Sequence, residues 1–393
     1  MPIGSILREQ TAIKCNVNRA GEGQVFLVAS ISSAADAAQA AGEAYDRIAQ
    51  ALREHHLEIV QERIFGSLPE ERSVMAARHR VFQKYGFGSD NPVTYIQGNP
   101  TSGKGLAGVI IHAVSLDHAD DVWTIFDGET SCGRGWKHNG LTHLVLQNIQ
   151  ALDREGLSPR LLSRPLQTQH MIERAERILR ENGASYKDVV RTWFYLSGIL
   201  DWYAAFNKVR NEKYGEFGIM PGPGDRDLLL PASTGIRGET PSGAASTMDL
   251  MAIVGEADRS AVKQLTNAAQ LDAFRYGSAF SRGALIQEPD VSLIEVSGTA
   301  AIDEHGVSLY PGDLRSQINC TFGKIDSLLG QVGACLADIC AATVFVKRPE
   351  YAEVFWEMAK DRGLEEFPAV CVIADVCREE LLFEIDAEAV VKK

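Results

Sequence analysis

The chain has 393 residues, 45% hydrophobic and 23% charged, the make-up of an ordinary globular protein. A formal charge of −13 and a pI near 5.2 make a phosphate backbone a poor partner, and no run of 18 apolar residues offers a membrane span. The seven cysteines form no CxxC pair, which leaves neither a zinc ribbon nor a thioredoxin-type motif. Reduced thiols in the cytoplasm are therefore expected. Met1-Pro2-Ile3-Gly4-Ser5 lacks the basic region and apolar core of a signal peptide.

In chain order, residues 36–56 carry Ala37, Ala41, Ala44, Tyr45, Ile48 and Leu52 at helical spacing. A strand from Leu57 to Phe65 follows, then a helix from about Pro69 to Tyr85-Gly86. Strands at Pro92–Ile96 and Leu106–Val114 come next. The same order returns as a helix over 168–182, a strand Val189–Leu196, a helix from Ile199 to Tyr214-Gly215, and strands Leu229–Thr234 and Met248–Val254. It returns again as helix Leu314–Val332, strand Ile339–Val346, helix Pro349–Arg362, and strands Ala369–Ala374 and Leu381–Ala387. Each pass opens on an extended stretch: Gln24–Ile31, Leu141–Ile149 and Val291–Ala301.

The prolines before the penultimate strands, Pro92, Pro231 and Pro368, are separated by 139 and 137 residues, against 131 for one third of the chain. Five elements in one order three times predict an α+β chain of three units, 1–120, 121–256 and 257–393. Each unit has one sheet face to bury.

Two motifs give the pattern a family. Glu295-Val296-Ser297-Gly298-Thr299-Ala300 before a helix and Phe367-Pro368-Ala369 after it resemble the RidA/YjgF (endoribonuclease L-PSP) family. Single-unit members of that family form trimers, so the resemblance implies that the three units form an intramolecular pseudo-trimer, which would also bury the open sheet faces. Within it, Arg191-Thr192-Trp193-Phe194-Tyr195-Leu196, Phe206-Asn207-Lys208-Val209-Arg210, Leu230-Pro231-Ala232-Ser233-Thr234-Gly235-Ile236, Phe280-Ser281-Arg282-Gly283 and Phe383-Glu384-Ile385 resemble the chorismatase branch. That resemblance implies a cofactor-free hydrolase or lyase that cleaves the enolpyruvyl ether of chorismate. The products would be pyruvate and a hydroxybenzoate or a dihydroxycyclohexadienoate. A segment around 237–246 reads as an insertion and as a loop or lid.

Period-2 alternation puts Leu382, Glu384 and Asp386 on one face of the last strand and Leu381, Phe383 and Ile385 on the other. Spacing alone makes Glu384 a solvated residue of an edge strand; the resemblance makes it the catalytic acid. Cys377 taken alone is a small buried hydrophobe. The resemblance pairs it with Gly283 as a pocket residue that goes with 3-hydroxybenzoate. A dicarboxylate calls for guanidinium groups, and Arg191, Arg210, Arg282 and Arg348 are the candidates, with surface ion pairs as the alternative. Tyr195 orients a carboxylate or hydroxyl, or packs on a helix. Thr234 and Gly235 form an anion-holding turn or only a tight connection.

Ordinary RidA deaminases carry a Pro-Ala-Arg motif; the equivalents here are Pro92-Val93-Thr94, Pro231-Ala232-Ser233 and Pro368-Ala369-Val370, all without arginine. This weakens imine deamination and ribonuclease action as alternatives, and leaves a non-catalytic small-molecule binder as the main competitor. Gly98 to Gly105 resembles a P-loop, but Gly105 stands where Ser or Thr is needed, and the segment joins two strands. His138 and His143, on a Gly-rich turn-like stretch, lack the third ligand of a zinc site. No cofactor and no metal are expected. The expected partner is a small anionic dicarboxylate, with no nucleic acid, no membrane, and further oligomerisation left open.

Overall fold

The computed structural model describes residues 12–21, 23–33, 36–88, 90–101, 105–119, 121–151, 161–220, 230–255, 261–266 and 277–393. The first stretch holds β1 (Ala12–Ala20), β2 (Gln24–Ser33), α1 (Ala37–Glu54), β3 (Leu57–Gly66), α2 (Glu71–Tyr85), β4 (Thr94–Gln97), β5 (Asn99–Pro100) and β6 (Leu106–Ser115). Then come β7 (Asp121–Asp127), β8 (Thr130–His138), β9 (Leu141–Ile149), α3 (Arg164–Glu181), β10 (Val189–Leu196), α4 (Tyr203–Glu216), β11 (Ala232–Arg237) and β12 (Ser246–Gly255). The last stretch has β13 (Val262–Leu265), β14 (Gly283–Gln287), β15 (Val291–Ala300), α5 (Leu314–Gly330), β16 (Ile339–Val346), α6 (Tyr351–Lys360), β17 (Ala369–Ile373) and β18 (Phe383–Lys392).

Local chemistry sets these boundaries. Asp36 caps α1 by accepting a hydrogen bond from the Gln39 N–H at 2.7 Å. The Ala-rich face of α1 lets the helix lie close to its sheet, with Ala40, Ala41 and Ala44 fully buried. Gly86 closes α2 at φ 80°, a left-handed conformation that glycine adopts at little cost.

The strands form three sheets, in the orders β1-β2-β6-β3-β4, β11-β10-β12-β9-β8-β7 and β13-β14-β15-β18-β16-β17-β5. All three contain one motif: a hairpin strand, the last long strand, a central strand, and a parallel partner for that strand. The parallel pairs are β3–β4, β10–β11 and β16–β17. Helices cover one face of each sheet and build three separate cores, such as Ile318, Phe322, Phe355, Phe383 and Ile385 in the third. The opposite faces share one further core in which Val28, Ile110, Val145, Trp193, Leu293 and Phe345 meet.

Polar groups are also buried in this shared interior. Arg63 pairs with Glu388 at 2.7 Å, and Arg191 pairs with Asp386 at 3.2 Å and Glu295 at 3.3 Å. The Trp193 ring has Arg191 at 4.4 Å and Arg63 at 4.6 Å from its centroid. Removing one partner of such a pair typically costs ~3–5 kcal/mol, because the other charge is left buried and uncompensated. These contacts fix how the sheets sit together.

Several expectations need correction. β10, β16 and β9 have the expected limits, but α3 begins at Arg164, with Pro165 in its first turn. The β7–β8 hairpin was not foreseen. His138 and His143 lie on β8 and β9, joined by Asn139-Gly140 with both φ values positive, the dipeptide that favours a tight hairpin. His143 stacks on Trp136 at 4.7 Å, and burial pushes its pKa down to about 4. Thr234 and Gly235 lie within β11 rather than in a turn. The 237–246 segment is a β11–β12 connection that lies against other parts of the chain: the Glu239 carbonyl accepts from the Gln97 N–H, and Ser242 donates to Gln150. Residues 102–104, which include the lysine of the P-loop-like stretch, lie outside the described residues.

Candidate active site

Glu384 is not on a solvated edge. β18 lies between β15 and β16, and Glu384 is 4% exposed. Within β18 the expected alternation holds: Phe383, Ile385 and Ala387 enter the helix-side core, while Glu384, Asp386 and Glu388 turn to the shared interior. It fails for Leu381, which precedes the strand and packs in the shared core instead of beside Phe383.

The Glu384 carboxyl enters a cavity of about 510 Å³ between the second and third sheets. The second sheet contributes Ser233 and Gly235 of β11, with Tyr203 and Arg210 of α4. From the third come Gly298 and Ala300 of β15, Phe280 and Arg282 just before β14, and Cys377 and Arg378 ahead of β18. Tyr203, Ser278, Cys377 and Arg378 also line an outer vestibule, so the cavity opens there.

A register irregularity in β15 between Val296 and Thr299 shapes this wall. Ser297 accepts from the Ser233 N–H at 2.8 Å and donates to the Ser281 carbonyl at 2.6 Å, which ties β11 to the third sheet. The Gly298 N–H donates to Thr234 Oγ1 at 3.1 Å. A Cβ on Gly298 would stand 2.3 Å from Glu384 Oε1, so only glycine leaves the carboxyl its place.

Electrostatics favour a protonated acid and a bound anion. Burial, with Asp386 nearby, pushes the Glu384 pKa up to about 8 against the opposing guanidinium groups of Arg191 and Arg282. No described residue donates a hydrogen bond to its carboxyl. Burial also pushes the Cys377 thiol up to about 12, so it stays protonated. Arg210 is 1% exposed; its Nη2 donates to Asn207 at 2.6 Å, its Nε has no partner, and no carboxylate pairs with it among the described residues. The Phe206 and Phe280 rings lie 5.3 and 5.7 Å from it. Arg378 donates to the Gly306 carbonyl and likewise has no carboxylate partner among the described residues. Arg282 lies 5.3 Å from the Phe280 ring centroid.

Of the residues singled out from sequence, Glu384, Arg210, Arg282, Gly235 and Cys377 meet at this cavity. The others do not. Arg191 is locked beneath it by Glu295, Asp386 and Thr234. Thr234 bonds Arg191 and Asp386 at 2.8 Å each. Tyr195 is buried in the shared core with its hydroxyl unpaired. Gly283 sits behind the wall, where a Cβ would meet the Glu295 carbonyl and Leu328. Arg348 is a surface residue, its side chain 65% exposed and 4.0 Å from Glu350. Arg378 and Gly298 were missed as site residues. Adjacency to Cys377 and the Ser-Gly-Thr step in a strand were the available signals.

The other two sheet interfaces differ at matching registers. Thr94, Thr234 and Val370 occupy one position, opposite Arg63, Trp193 and Thr343. It follows that Thr234, not Ser233, matches Thr94. Thr94 donates to Asp249 at 2.6 Å as Thr234 donates to Asp386. The next residues are Tyr95, Gly235 and Cys371. Opposite Phe345, Tyr195 and Phe65 stand Glu384, Thr247 and Gly108. Asp249 therefore matches Asp386 rather than Glu384. Only the interface with Gly235 combines the small residue with the acid. Among the described residues, a cavity of about 720 Å³ at the Cys371 interface has no buried acid, and one of about 780 Å³ beside β12 has as its charged lining only exposed Lys187 and half-buried Asp188.

Residues 278–391 match the Endoribonuclease L-PSP family model. The chain is 28% identical over 226 residues to a chorismatase of Streptomyces hygroscopicus, a match covering 51% of this chain. It spans 61% of the length of that relative. A crystal structure of a chorismatase covers 96% of this chain, and 98% of its own, at 19% identity and a TM-score of 0.61, a likeness of fold. The last third of the chain thus carries an endoribonuclease L-PSP segment, half of the chain is similar in sequence to a chorismatase, and its fold resembles that of a chorismatase along its length.

Proposed function

We propose that the chain is a chorismatase-like enzyme that cleaves an enolpyruvyl ether of a small dicarboxylate, chorismate or a close analogue, and releases pyruvate. The observation that carries this reading is a buried carboxyl, its pKa pushed up to about 8, facing a cavity lined by Arg210 and Arg378, neither of which has a carboxylate partner among the described residues. Opening an enol ether requires a proton on its methylene carbon, and Glu384 is an acid still protonated at neutral pH. Arg210 and Arg378, with Arg282 beside them, supply positive charge for a substrate dianion. Tyr203, Ser233 and Ser278 add hydroxyl groups for the ring substituents.

After protonation, either water adds to the oxocarbenium carbon or the ring loses its side chain internally. The first route consumes one water and gives pyruvate and a dihydroxycyclohexadienoate. The second gives pyruvate and 3-hydroxybenzoate, with no water consumed. The protonated Cys377 thiol on the wall is a poor partner for a positioned water, which supports the second route.

The same reading takes the three sheets as three RidA-like units, 1–120, 121–256 and 257–393, packed as an intramolecular pseudo-trimer. The shared strand order and the shared inner core support it. On this view the fusion let Tyr95 and Cys371 diverge from Gly235 and left one interface equipped for the reaction. The test is to incubate the full chain with chorismate, couple pyruvate to lactate dehydrogenase, and resolve the ring product by chromatography. Pyruvate with 3-hydroxybenzoate is expected. Tight binding of chorismate without turnover would make the protein a binder instead.

A further inference from the structure

Glu384 and Asp386 share one face of β18, two residues apart, which at ~3.4 Å per residue puts their backbones roughly 7 Å from each other. Their surroundings are opposite. Asp386 Oδ2 accepts from Thr234 Oγ1 at 2.8 Å and Arg191 Nη2 at 3.2 Å, and Oδ1 accepts from the Thr343 N–H at 3.3 Å. The Glu384 carboxyl accepts no hydrogen bond from any described residue. Two carboxyl groups this close disfavour each other's charge, and the one with no donor, Glu384, is the one that keeps a proton.

We propose that Asp386, clamped across the sheet interface by Arg191 and Thr234, is a positioning residue that keeps the Glu384 carboxyl protonated between turnovers. The proposal deepens the catalytic reading above and rests on it for its kinetic test. Asp386 does not line the cavity, so it acts through Glu384 alone. The charged groups around Glu384 fit this division. Arg191 on β10 and Arg282 before β14 oppose Asp386, and the Cys377 thiol stays uncharged. Arg210, Arg378 and the Tyr203 hydroxyl complete the cavity. Asp386 itself faces Arg191, Arg63 on β3, Glu295 on β15, Glu388 on β18 and Tyr195 on β10.

The interface between the first and second sheets provides an internal control. Thr94–Asp249 repeats the Thr234–Asp386 bond, but Thr247 stands where Glu384 would be. Asp249→Asn therefore removes a cross-sheet carboxylate without touching the acid.

Activity requires protonated Glu384, so turnover falls as pH rises through its pKa. Asp386→Asn removes a nearby negative charge, which lowers that pKa and should move the alkaline limb of the kcat–pH profile down by about one pH unit. Asp249→Asn should leave the limb in place. An unmoved limb in folded Asp386→Asn, or an equal displacement in Asp249→Asn, would overturn the proposal. A carboxyl ¹³C titration, assigned with Glu384→Gln, reads the same groups without turnover. In the wild type at pH 7 Glu384 is expected protonated, with its midpoint about one pH unit lower in Asp386→Asn; a Glu384 found ionised at pH 7, or a midpoint that does not move, would overturn the proposal. Absence of pyruvate release would count against the catalytic reading only, and the titration would still decide the role of Asp386.

Discussion

Replacing Glu384 with glutamine should separate catalysis from stability in opposite directions. The wild-type carboxyl keeps its proton to about pH 8, whereas in the unfolded chain it ionises near 4.5. Between those values the unfolded state releases a proton that the folded state retains, so folding stability falls as pH rises, by ~1.4 kcal/mol per pH unit. From pH 4.5 to 7 this amounts to a cost of about 3 kcal/mol for keeping the acid buried. Glutamine has nearly the same shape and no such cost. Glu384→Gln should therefore melt a few degrees above the wild type at pH 7, with the advantage shrinking toward pH 4.5. Pyruvate release should drop at least ~100-fold, because a positioned acid contributes ~10²–10⁴ and an amide cannot donate to carbon. KM should hardly change. Calorimetry at pH 5 and pH 7 and the coupled pyruvate assay measure both effects. A melting advantage that does not depend on pH, or wild-type turnover, would refute the reasoning.

Four further outcomes follow from the same geometry. Arg210→Met removes a buried cation that pairs with no described carboxylate, so KM should rise ~10–100-fold with the melting temperature held or raised, in parallel kinetic and thermal assays. Gly298→Ala forces a methyl into a space 2.3 Å from Glu384 Oε1 and should lower kcat at least ~10-fold while circular dichroism stays unchanged. Gly235→Tyr imitates Tyr95 at the matching register and should abolish binding of a chorismate analogue by titration calorimetry. Arg348→Ala should change neither turnover nor stability by more than ~0.5 kcal/mol, which steady-state kinetics and denaturant melts can check.

The fold was legible where hydrophobic periodicity and punctuation coincide. Val189–Leu196 and Ile339–Val346 are rich in β-branched and aromatic residues and begin just after a single turn, and both have the expected limits. The β7–β8 hairpin escaped because Asp121, Asp127, Lys137 and His138 interrupt its alternation, although Asn139-Gly140 marked its turn to β9. Alternation on β18 correctly gave the face Glu384 takes, since strand geometry is local. It did not tell whether that face meets water, because burial depends on which sheet lies opposite. The arginines have the same limit. Arg191 and Arg210 look alike in sequence, yet one finds Glu295 and Asp386 and the other finds only Asn207. Those partners lie 104 and 195 residues away for the first and three for the second, and spacing carries no information about the former. The register that matches Asp249 to Asp386 rather than to Glu384 depends on long-range strand pairing with β10 and β16, which no local pattern marks.

The central claim is that the Glu384 carboxyl delivers a proton to the methylene carbon of an enolpyruvyl ether. Turnover of chorismate in D₂O, with pyruvate trapped at once as lactate by lactate dehydrogenase, reads that step in the product. The acid exchanges with solvent between turnovers, so the account predicts lactate carrying one deuterium in its methyl group, formed at least ~100-fold more slowly by Glu384→Gln. Lactate with an undeuterated methyl group, or an equal rate from Glu384→Gln, would contradict it.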